Sequence, residues 1–171
     1  GDEVPVTLLR DGIELRENLK LRAGSRLVPF SIYDAKPEFF IYAGLVFQPV
    51  TYNYLKIWGI DKAPTDLAFY YKYGMSRADY SQVVLLNKVL AHDVNHGFQD
   101  MSDEIVAVVN GKPIGRLADV VAALAAPMDG FHVIEFLKGH KIVIDAKAAE
   151  ASNKEILAKY DIPKDRSDNL K

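Results

Sequence analysis

The run Glu104-Ile105-Val106-Ala107-Val108-Val109-Asn110-Gly111 decides the fold of this chain. After the glutamate, five consecutive apolar residues predict a buried strand, and the Asn-Gly pair favours a sharp turn because both residues tolerate positive φ. A helix is predicted from residue 116 to residue 125, before Pro127, by apolar residues at helical spacing: Leu117, Val120, Val121 and Leu124. The sequence therefore predicts a strand, a tight turn and an amphipathic helix in direct succession.

Further strands flank this unit on both sides. Residues 82–90 have the composition of a buried strand, and residues 131–145 form two apolar-rich runs around a turn that contains glycine. Residues 4–21 give a similar pair of runs around an Asp-Gly turn. Overlaying Leu9-Arg10 on Leu137-Lys138 indicates a repeated module, of which only the last hairpin is present at the N-terminus.

The order of elements predicts an α+β fold. Strands and helices do not alternate as in parallel βαβ units, so a small antiparallel β-barrel or sandwich with flanking helices is favoured. Residues 51–80 include a short helix that Thr65 is placed to cap and Gly74 to end. From Ala146 the chain has helical spacing, and beyond Pro163 its polar end is expected to fray.

The domain organisation follows from these elements. Residues 1–21 are a closing hairpin, and residues 22–38, with a glycine and two prolines but no periodicity, form a connection. Residues 39–171 make one domain, enlarged by an insert at 51–80 and by a C-terminal helix and tail. Because the chain begins with Gly1 rather than methionine, we expect it to be a piece of a longer protein.

Composition excludes several classes of function. The chain has 21 Lys and Arg residues against 23 Asp and Glu residues, so its net charge of −2 gives no footprint for nucleic acid or for an anionic membrane. Its apolar runs are far shorter than the roughly 20 residues that span a bilayer. Without cysteine there is no disulfide, thiolate nucleophile or cysteine metal site. The absence of cysteine does not indicate the cellular compartment, because an exported protein need not contain disulfides.

His92 and His96 are the candidate metal ligands. Histidines four residues apart share one face of a helix and can bind zinc. The intervening glutamate of the zinc-protease motif is missing, and Asn95-His96-Gly97 is typical of a turn, so a solvated loop is favoured. A metal-dependent hydrolase that uses this pair is kept as a distant alternative.

The insert is rich in aromatic residues. Residues 52–80 hold eight of the eighteen aromatic residues in the chain. Tyrosine and tryptophan are enriched where proteins meet partners, so these residues form either a domain or subunit interface or a local core beneath the insert. The candidate interface residues are Tyr52, Tyr54, Trp58, Phe69, Tyr70, Tyr71 and Tyr73.

Gly44 marks a candidate peptide-binding site. It separates an aromatic strand from an apolar one, and such a glycine can expose backbone N–H groups to a carboxylate. The strand that follows would offer an unpaired edge to an extended peptide, with the helix at 116–125 as the far wall. The alternative is an ordinary core strand with a bulge.

These motifs together resemble a known family. Residues 83–90, Gly97-Phe98, and residues 103–124 with their Asn-Gly turn and helix resemble the second half of a bacterial-type PDZ domain. Residues 1–21 resemble the closing hairpin of a preceding PDZ domain. The stretch 40–49, the long insert and the tail at 155–167 are similar to the C-terminal PDZ domain of Do-like (Deg/HtrA) serine proteases, found in plant Deg enzymes and bacterial relatives.

The resemblance implies a protease domain upstream, whose catalytic triad lies outside this chain, and it implies no cofactor. It implies a domain that binds protein or peptide segments or helps protease subunits assemble, and homo-oligomers are one form that this assembly could take. It also favours a periplasmic or other exported compartment. The long insert could instead cover the groove and leave no free peptide site. The implied peptide-binding residues are Ala43, Gly44, Leu45, Val46 and Phe47, with Val120, Val121 and Leu124 on the helix.

Overall fold

The computed structural model of the chain describes residues 1–21 and 24–170. Within these residues it contains nine strands, four α-helices and two short 3₁₀ helices, at Ile60–Lys62 and Asp93–Asn95. The strands are β1 (Glu3–Arg10), β2 (Ile13–Lys20), β3 (Phe40–Tyr42), β4 (Leu45–Pro49), β5 (Val84–Val89), β6 (Glu104–Val109), β7 (Lys112–Pro113), β8 (Phe131–Phe136) and β9 (Lys141–Asp145). The helices are α1 (Tyr52–Leu55), α2 (Thr65–Tyr73), α3 (Leu117–Leu124) and α4 (Ala146–Lys159).

The strands form two antiparallel sheets. β1 and β2 pair only with each other, and the other seven form one sheet in the order β3-β4-β5-β6-β8-β9, with β7 paired to β6. Helix α3 packs against β4 and β6, and α4 packs against β3 and β9. The α+β class, the antiparallel pairing and the flanking helices are therefore confirmed.

The central strands are buried on both faces. In β5, Leu86 points into the main core with Phe47 and Leu117, whereas its neighbour Leu85 points into a second core beneath the insert. Successive side chains of a strand point to opposite faces, so a strand between two cores needs apolar residues at every position. This explains the apolar run Val84-Leu85-Leu86 at the start of β5, whereas the polar Asn87 and Lys88 that follow are not buried.

The turn after β6 has the conformation that its sequence predicts. Asn110 has φ 48° and Gly111 has φ 73°, as the tight turn requires. The side chain of Asn110 is buried, and its Nδ2 donates to the carbonyl oxygens of Ala123 and Ala126 at 2.9 and 3.0 Å. A turn residue therefore also provides a hydrogen-bond donor for carbonyl oxygens at and just beyond the end of α3.

The insert forms the predicted helix but starts it differently. Thr65 was expected to cap α2, yet it is the first helical residue, and Pro64 takes the capping position without a side-chain hydrogen bond. Proline cannot offer a side-chain oxygen, and in the first turn it is Oδ1 of Asp66 that accepts from the Leu67 N–H, at 3.0 Å. Gly74 ends the helix as predicted.

The connection between the hairpin and the larger sheet is partly packed. Residues 22 and 23 of the predicted linker lie outside the described residues. Residues 24–38 contain neither helix nor strand, but Leu27 and Val28 are buried in the insert core, and the Leu27 N–H donates to the Gly74 carbonyl at 3.0 Å. The division at residues 22–38 stays a prediction.

Candidate functional site

Strands β3 and β4 are joined by a turn of two residues, Ala43 and Gly44. The register pairs Phe40 with Phe47 and Tyr42 with Leu45. Ala43 has φ 50° and Gly44 has φ 82°, so both turn residues lie in the left-handed region. This geometry matches the twist of a tight hairpin, although alanine adopts it at a cost in energy.

The turn is held by contacts from three directions. The Ala43 N–H donates to Oδ1 of Asn153 on α4 at 3.0 Å, and its carbonyl oxygen accepts from Nδ2 of Asn95 at 2.8 Å. The carbonyl oxygen of Gly44 accepts from the Leu90 N–H at 2.7 Å. A side chain at Gly44 would overlap the Leu90 carbonyl oxygen and the amide of Asn95. Of the backbone N–H groups predicted to receive a carboxylate, that of Ala43 is thus already bonded within the protein.

Asn95 is a site residue that sequence reasoning missed. The loop around it was interpreted as solvated, but Asn95 is fully buried. Its Nδ2 also donates to the Leu90 carbonyl at 2.8 Å, and its Oδ1 accepts from the His92 N–H at 3.0 Å. The only signal available was local: Asn95 follows the N-cap His92 of a short helix at capping-box spacing.

The expectation of an unpaired edge on β4 was wrong. In the sheet order β4 lies between β3 and β5, so both of its edges are paired along Leu45–Phe47. Ala43, Leu45 and Phe47 are buried. The physical reason is the length of the turn, because two residues fold β3 directly back onto β4. A peptide strand can pair with Leu45–Phe47 only if β3 first leaves.

The helix wall lies where the sequence predicts it. Val120 and Leu124 of α3 are buried in the same core as Phe47, and the half-buried Val121 packs against that core. These residues therefore belong to the main core, and their role in a pocket for a peptide side chain stays a prediction.

Gln82 fixes the start of β3 beside α3. Its Oε1 accepts from the Leu117 N–H at 2.8 Å, at the first residue of the helix. Its Nε2 donates to Oε2 of Glu38 at 2.9 Å, two residues before β3 begins. One glutamine side chain thus joins α3 to the segment that leads into β3, the strand paired with β4.

The outer edge of β3 is covered by the C-terminal tail, which was expected to fray. The Ile41 N–H donates to the Asp165 carbonyl at 2.6 Å, and the Ser167 N–H donates to the Phe39 carbonyl at 3.0 Å. Leu170 is 8% exposed and belongs to the main core. One apolar residue in a polar tail was the sequence signal for this docking.

A buried polar network links the β3–β4 turn to α3. The hydroxyl of Tyr42 lies 3.0 Å from Nε2 of His132, and the imidazole Nδ1 lies 3.2 Å from Nδ2 of Asn110. Since Oδ1 of Asn110 accepts from the Val133 N–H at 2.8 Å, its Nδ2 is the donor toward His132. The neutral imidazole then carries its proton on Nε2, directed at the Tyr42 oxygen. Burial lowers the pKa of His132 and raises the pKa of Tyr42.

Most of the candidate interface aromatics lie in the insert core. Tyr71 is buried there, and Tyr52, Tyr54 and Tyr70 pack against it. Tyr54 also donates from its hydroxyl to Asp103, and burial together with this bond raises the pKa of Tyr54. Trp58 is half-buried, with its ring edge-on to that of Tyr54. The exposed members of the set are Phe69, at 57%, and Tyr73, at 70%.

His92 and His96 make separate contacts. Nδ1 of His92 accepts from the Val94 N–H at 3.3 Å, and its Nε2 lies 3.6 Å from a carboxylate oxygen of Glu155. Nδ1 of His96 lies 3.4 Å from Nε2 of Gln99. In the described part of the chain, no three histidine, cysteine, aspartate or glutamate side chains are gathered as metal ligands. None of the helices in residues 1–21 and 24–170 has the length and apolar character to cross a membrane.

Lys138 connects the insert to the β8–β9 hairpin. Its ammonium lies 3.5 Å from Oδ2 of Asp66 on α2 and 3.8 Å from Oε2 of Glu104 on β6. Both oxygens are buried without a hydrogen bond. The lysine charge is therefore the nearest compensation that these oxygens have among the described residues.

The sequence of the chain is similar to those of a known domain family and of several known proteins. The family model described as "PDZ domain" matches residues 28–169. The chain is 31% identical over 170 residues to Protease Do-like 2, chloroplastic, of Arabidopsis thaliana, covering 99% of this chain and 28% of that protein. It is 29% identical over 163 residues to Putative protease Do-like 3, mitochondrial, of the same plant, covering 95% of this chain and 28% of that protein. The chain thus spans less than a third of the length of these relatives.

Proposed function

The chain belongs to the PDZ domain family, in the form found in Do-like proteases, and we propose that it is an assembly module whose peptide groove is closed in the resting state. A PDZ domain is a non-catalytic protein-interaction module. We assign no catalytic role to any residue of this chain. The parent protein is proposed to be a serine endopeptidase with its triad outside this chain.

One observation carries the proposal of a closed groove, namely the pairing of β3 with β4. Strand addition to a PDZ domain needs a free edge on the strand that follows the carboxylate-binding loop. Here that edge is paired from Leu45 to Phe47, and the Ala43 N–H is bonded to Asn153. Free peptide ends therefore have neither this edge nor the Ala43 N–H available to them.

A binding assay with a library of C-terminal peptides tests this proposal. We expect no saturable binding to the chain when fluorescence polarisation is measured. The competing function is direct strand addition, in which Ala43 to Phe47 bind the peptide after β3 is displaced. Saturable binding that is lost in Gly44→Pro would establish that function and contradict ours.

The surface proposed for assembly contains Phe69 and Tyr73. Both are exposed on α2, and Met75, just beyond the helix, is also exposed. Exposed aromatic side chains that lie close together are typical of contacts between proteins. We propose that this surface meets another domain or subunit of the parent protease.

Sedimentation velocity tests whether the partner is a second copy of the chain. The variant changes Phe69 and Tyr73 to serine, and the matched control is Tyr33→Ser, whose side chain is 87% exposed outside the insert. We expect the chain and the control to self-associate alike and the double variant to remain monomeric. A monomer in all three cases would exclude self-association through this surface.

The N-terminal hairpin offers a second contact surface. Its cross-strand pairs Val4–Leu19 and Leu8–Leu15 place apolar side chains on one face, and all four are exposed. In the β8–β9 hairpin, the pair Ile134–Ile142 is buried by its own domain. This contrast supports the proposal that residues 1–21 close a preceding PDZ domain. In a chain extended toward the N-terminus, the β1 amides should exchange hydrogen more slowly.

A further inference from the structure

We propose that the outer edge of β3 is a docking edge for an extended peptide segment, and that the C-terminal tail of the chain occupies this edge as a removable ligand. The tail is defined here as residues 165–170. This inference concerns a different edge from the closed edge of β4, and it adds a binding site that opens only when the tail leaves.

The backbone contacts of the tail are those of an added strand. Arg166 forms an antiparallel bridge with Phe40, and the flanking bonds run from Ile41 N–H to Asp165 and from Ser167 N–H to Phe39. Ser167 also accepts the Phe39 N–H on its Oγ at 3.3 Å. Backbone pairing of this kind provides affinity without regard to sequence, so another extended segment can make the same bonds.

Three side chains of the tail supply selectivity. The guanidinium of Arg166 lies 4.9 Å from the centroid of the Phe40 ring, a cation–π contact. Leu170 inserts into the main core after a turn in which its N–H donates to the Ser167 carbonyl at 3.0 Å. The hydroxyl of Ser167 bonds to Phe39 as described. The partner chemistry is therefore a basic residue, a hydroxyl residue directly after it, and an aliphatic residue three positions later.

The segment that connects the tail to α4 is largely exposed, which allows the tail to leave the β3 edge. Helix α4 ends at Lys159, and the chain then turns through Asp161, which has φ 53°, and the exposed Pro163 and Lys164. Leu170 is the only apolar side chain that the tail buries among its described residues. Asn169 also donates from Nδ2 to Oε1 of Glu38 at 2.9 Å. In the part of the chain that the structure describes, the hydrogen bonds of the tail reach Glu38, Phe39 and Ile41 but no residue of β4 or β5, so its release leaves the β4–β5 backbone pairing in place.

A truncated chain that ends at Tyr160 tests the proposal. The probe is a peptide with the sequence of residues 161–171 and an N-terminal fluorescein, and the measurement is fluorescence polarisation. We expect saturable binding to the truncated chain and none to the full chain. Probes with Ser167→Pro or Leu170→Ser should bind roughly tenfold or more weakly, because each loses one backbone bond or the anchor. A folded truncated chain that does not bind the probe would overturn the proposal.

Hydrogen exchange in the full chain covers the case in which the truncated chain does not fold. The Ile41 and Ser167 amides report release of the tail, and the amides of β5 report opening of the core. We expect Ile41 and Ser167 to exchange much faster than β5, since release is a local event. Equal exchange at both places would mean that the tail is an integral strand, which refutes a removable ligand. Failure of the closed-groove proposal gives a different result, namely peptide binding to the full chain.

Discussion

The Nε2 atom of His132 lies 3.0 Å from the hydroxyl oxygen of Tyr42, which joins strand β8 to the end of strand β3. On its other side, the imidazole accepts from Asn110, which also donates to the Ala123 carbonyl oxygen of α3. One neutral imidazole therefore connects the end of β3 to the Asn110 side chain that bonds to α3.

Acid should destabilise the domain through His132. Its pKa is lowered by burial in the folded chain, so between that value and the ordinary value of about 6.5 the unfolded chain binds more protons. The contribution is complete above about pH 6.5 and is lost as the pH falls toward the folded pKa. Urea unfolding across this range should show a flatter pH profile for His132→Gln. The control His96→Gln, at an exposed site, should keep the wild-type profile; parallel profiles for wild type and His132→Gln would contradict the assignment.

Asn95→Ala should lower the free energy of unfolding by about 2–4 kcal/mol, because it leaves the Ala43 carbonyl, the Leu90 carbonyl and the His92 N–H without their partner. Urea unfolding measures the change. Asn53→Ala, at an exposed position of α1, is the control and should change stability by less than about 0.5 kcal/mol. Similar losses in both variants would mean that Asn95 does not hold the turn.

Gly44→Ala and Gly139→Ala form a matched pair. Both glycines have positive φ, at 82° and 89°, so alanine costs about 1–2 kcal/mol at either position. At Gly44 the new Cβ would also overlap the Leu90 carbonyl oxygen, whereas nothing lies near Gly139. Thermal unfolding should show the larger loss for Gly44→Ala. Equal losses would mean that the turn has room to relax.

Lys138→Met should destabilise the chain by about 1 kcal/mol, because it removes the ammonium that lies near the buried Oδ2 of Asp66 and Oε2 of Glu104. The control is Lys141→Met, which breaks an exposed pair with Glu135 and should cost less than about 0.5 kcal/mol. Chemical unfolding of both variants gives the comparison. A larger effect of Lys141→Met would show that burial of the two oxygens is unimportant.

The sequence predicts the parts of the fold that depend on local pattern. The apolar run of β6, the turn at Asn110-Gly111 and helix α3 each follow from a few neighbouring residues, and all three are confirmed. The pairing of β3 with β4 was missed because its tight turn is Ala43-Gly44. Alanine carries no left-handed preference, so the usual hairpin signal is absent.

Parts of the candidate site could not be predicted because they depend on distant residues. The tail reaches β3 across most of the chain, and no periodicity connects Leu170 with Phe39 or Ile41. Asn95 is buried only because the β3–β4 turn presents a carbonyl to it. Such contacts arise from tertiary packing, and a polar residue alone does not indicate on which side of the surface it lies.

The burial of the central strands on both faces makes the insert indispensable. Leu85 and Ile105 point away from the main core, and the insert supplies the side chains that cover them, including Leu67 and Tyr71. The domain is thus a three-layer protein, with its sheet as the middle layer. Shortening the chain to an ordinary PDZ length by deleting the insert would turn that middle layer into an outer one, with a water-facing apolar surface prone to aggregation.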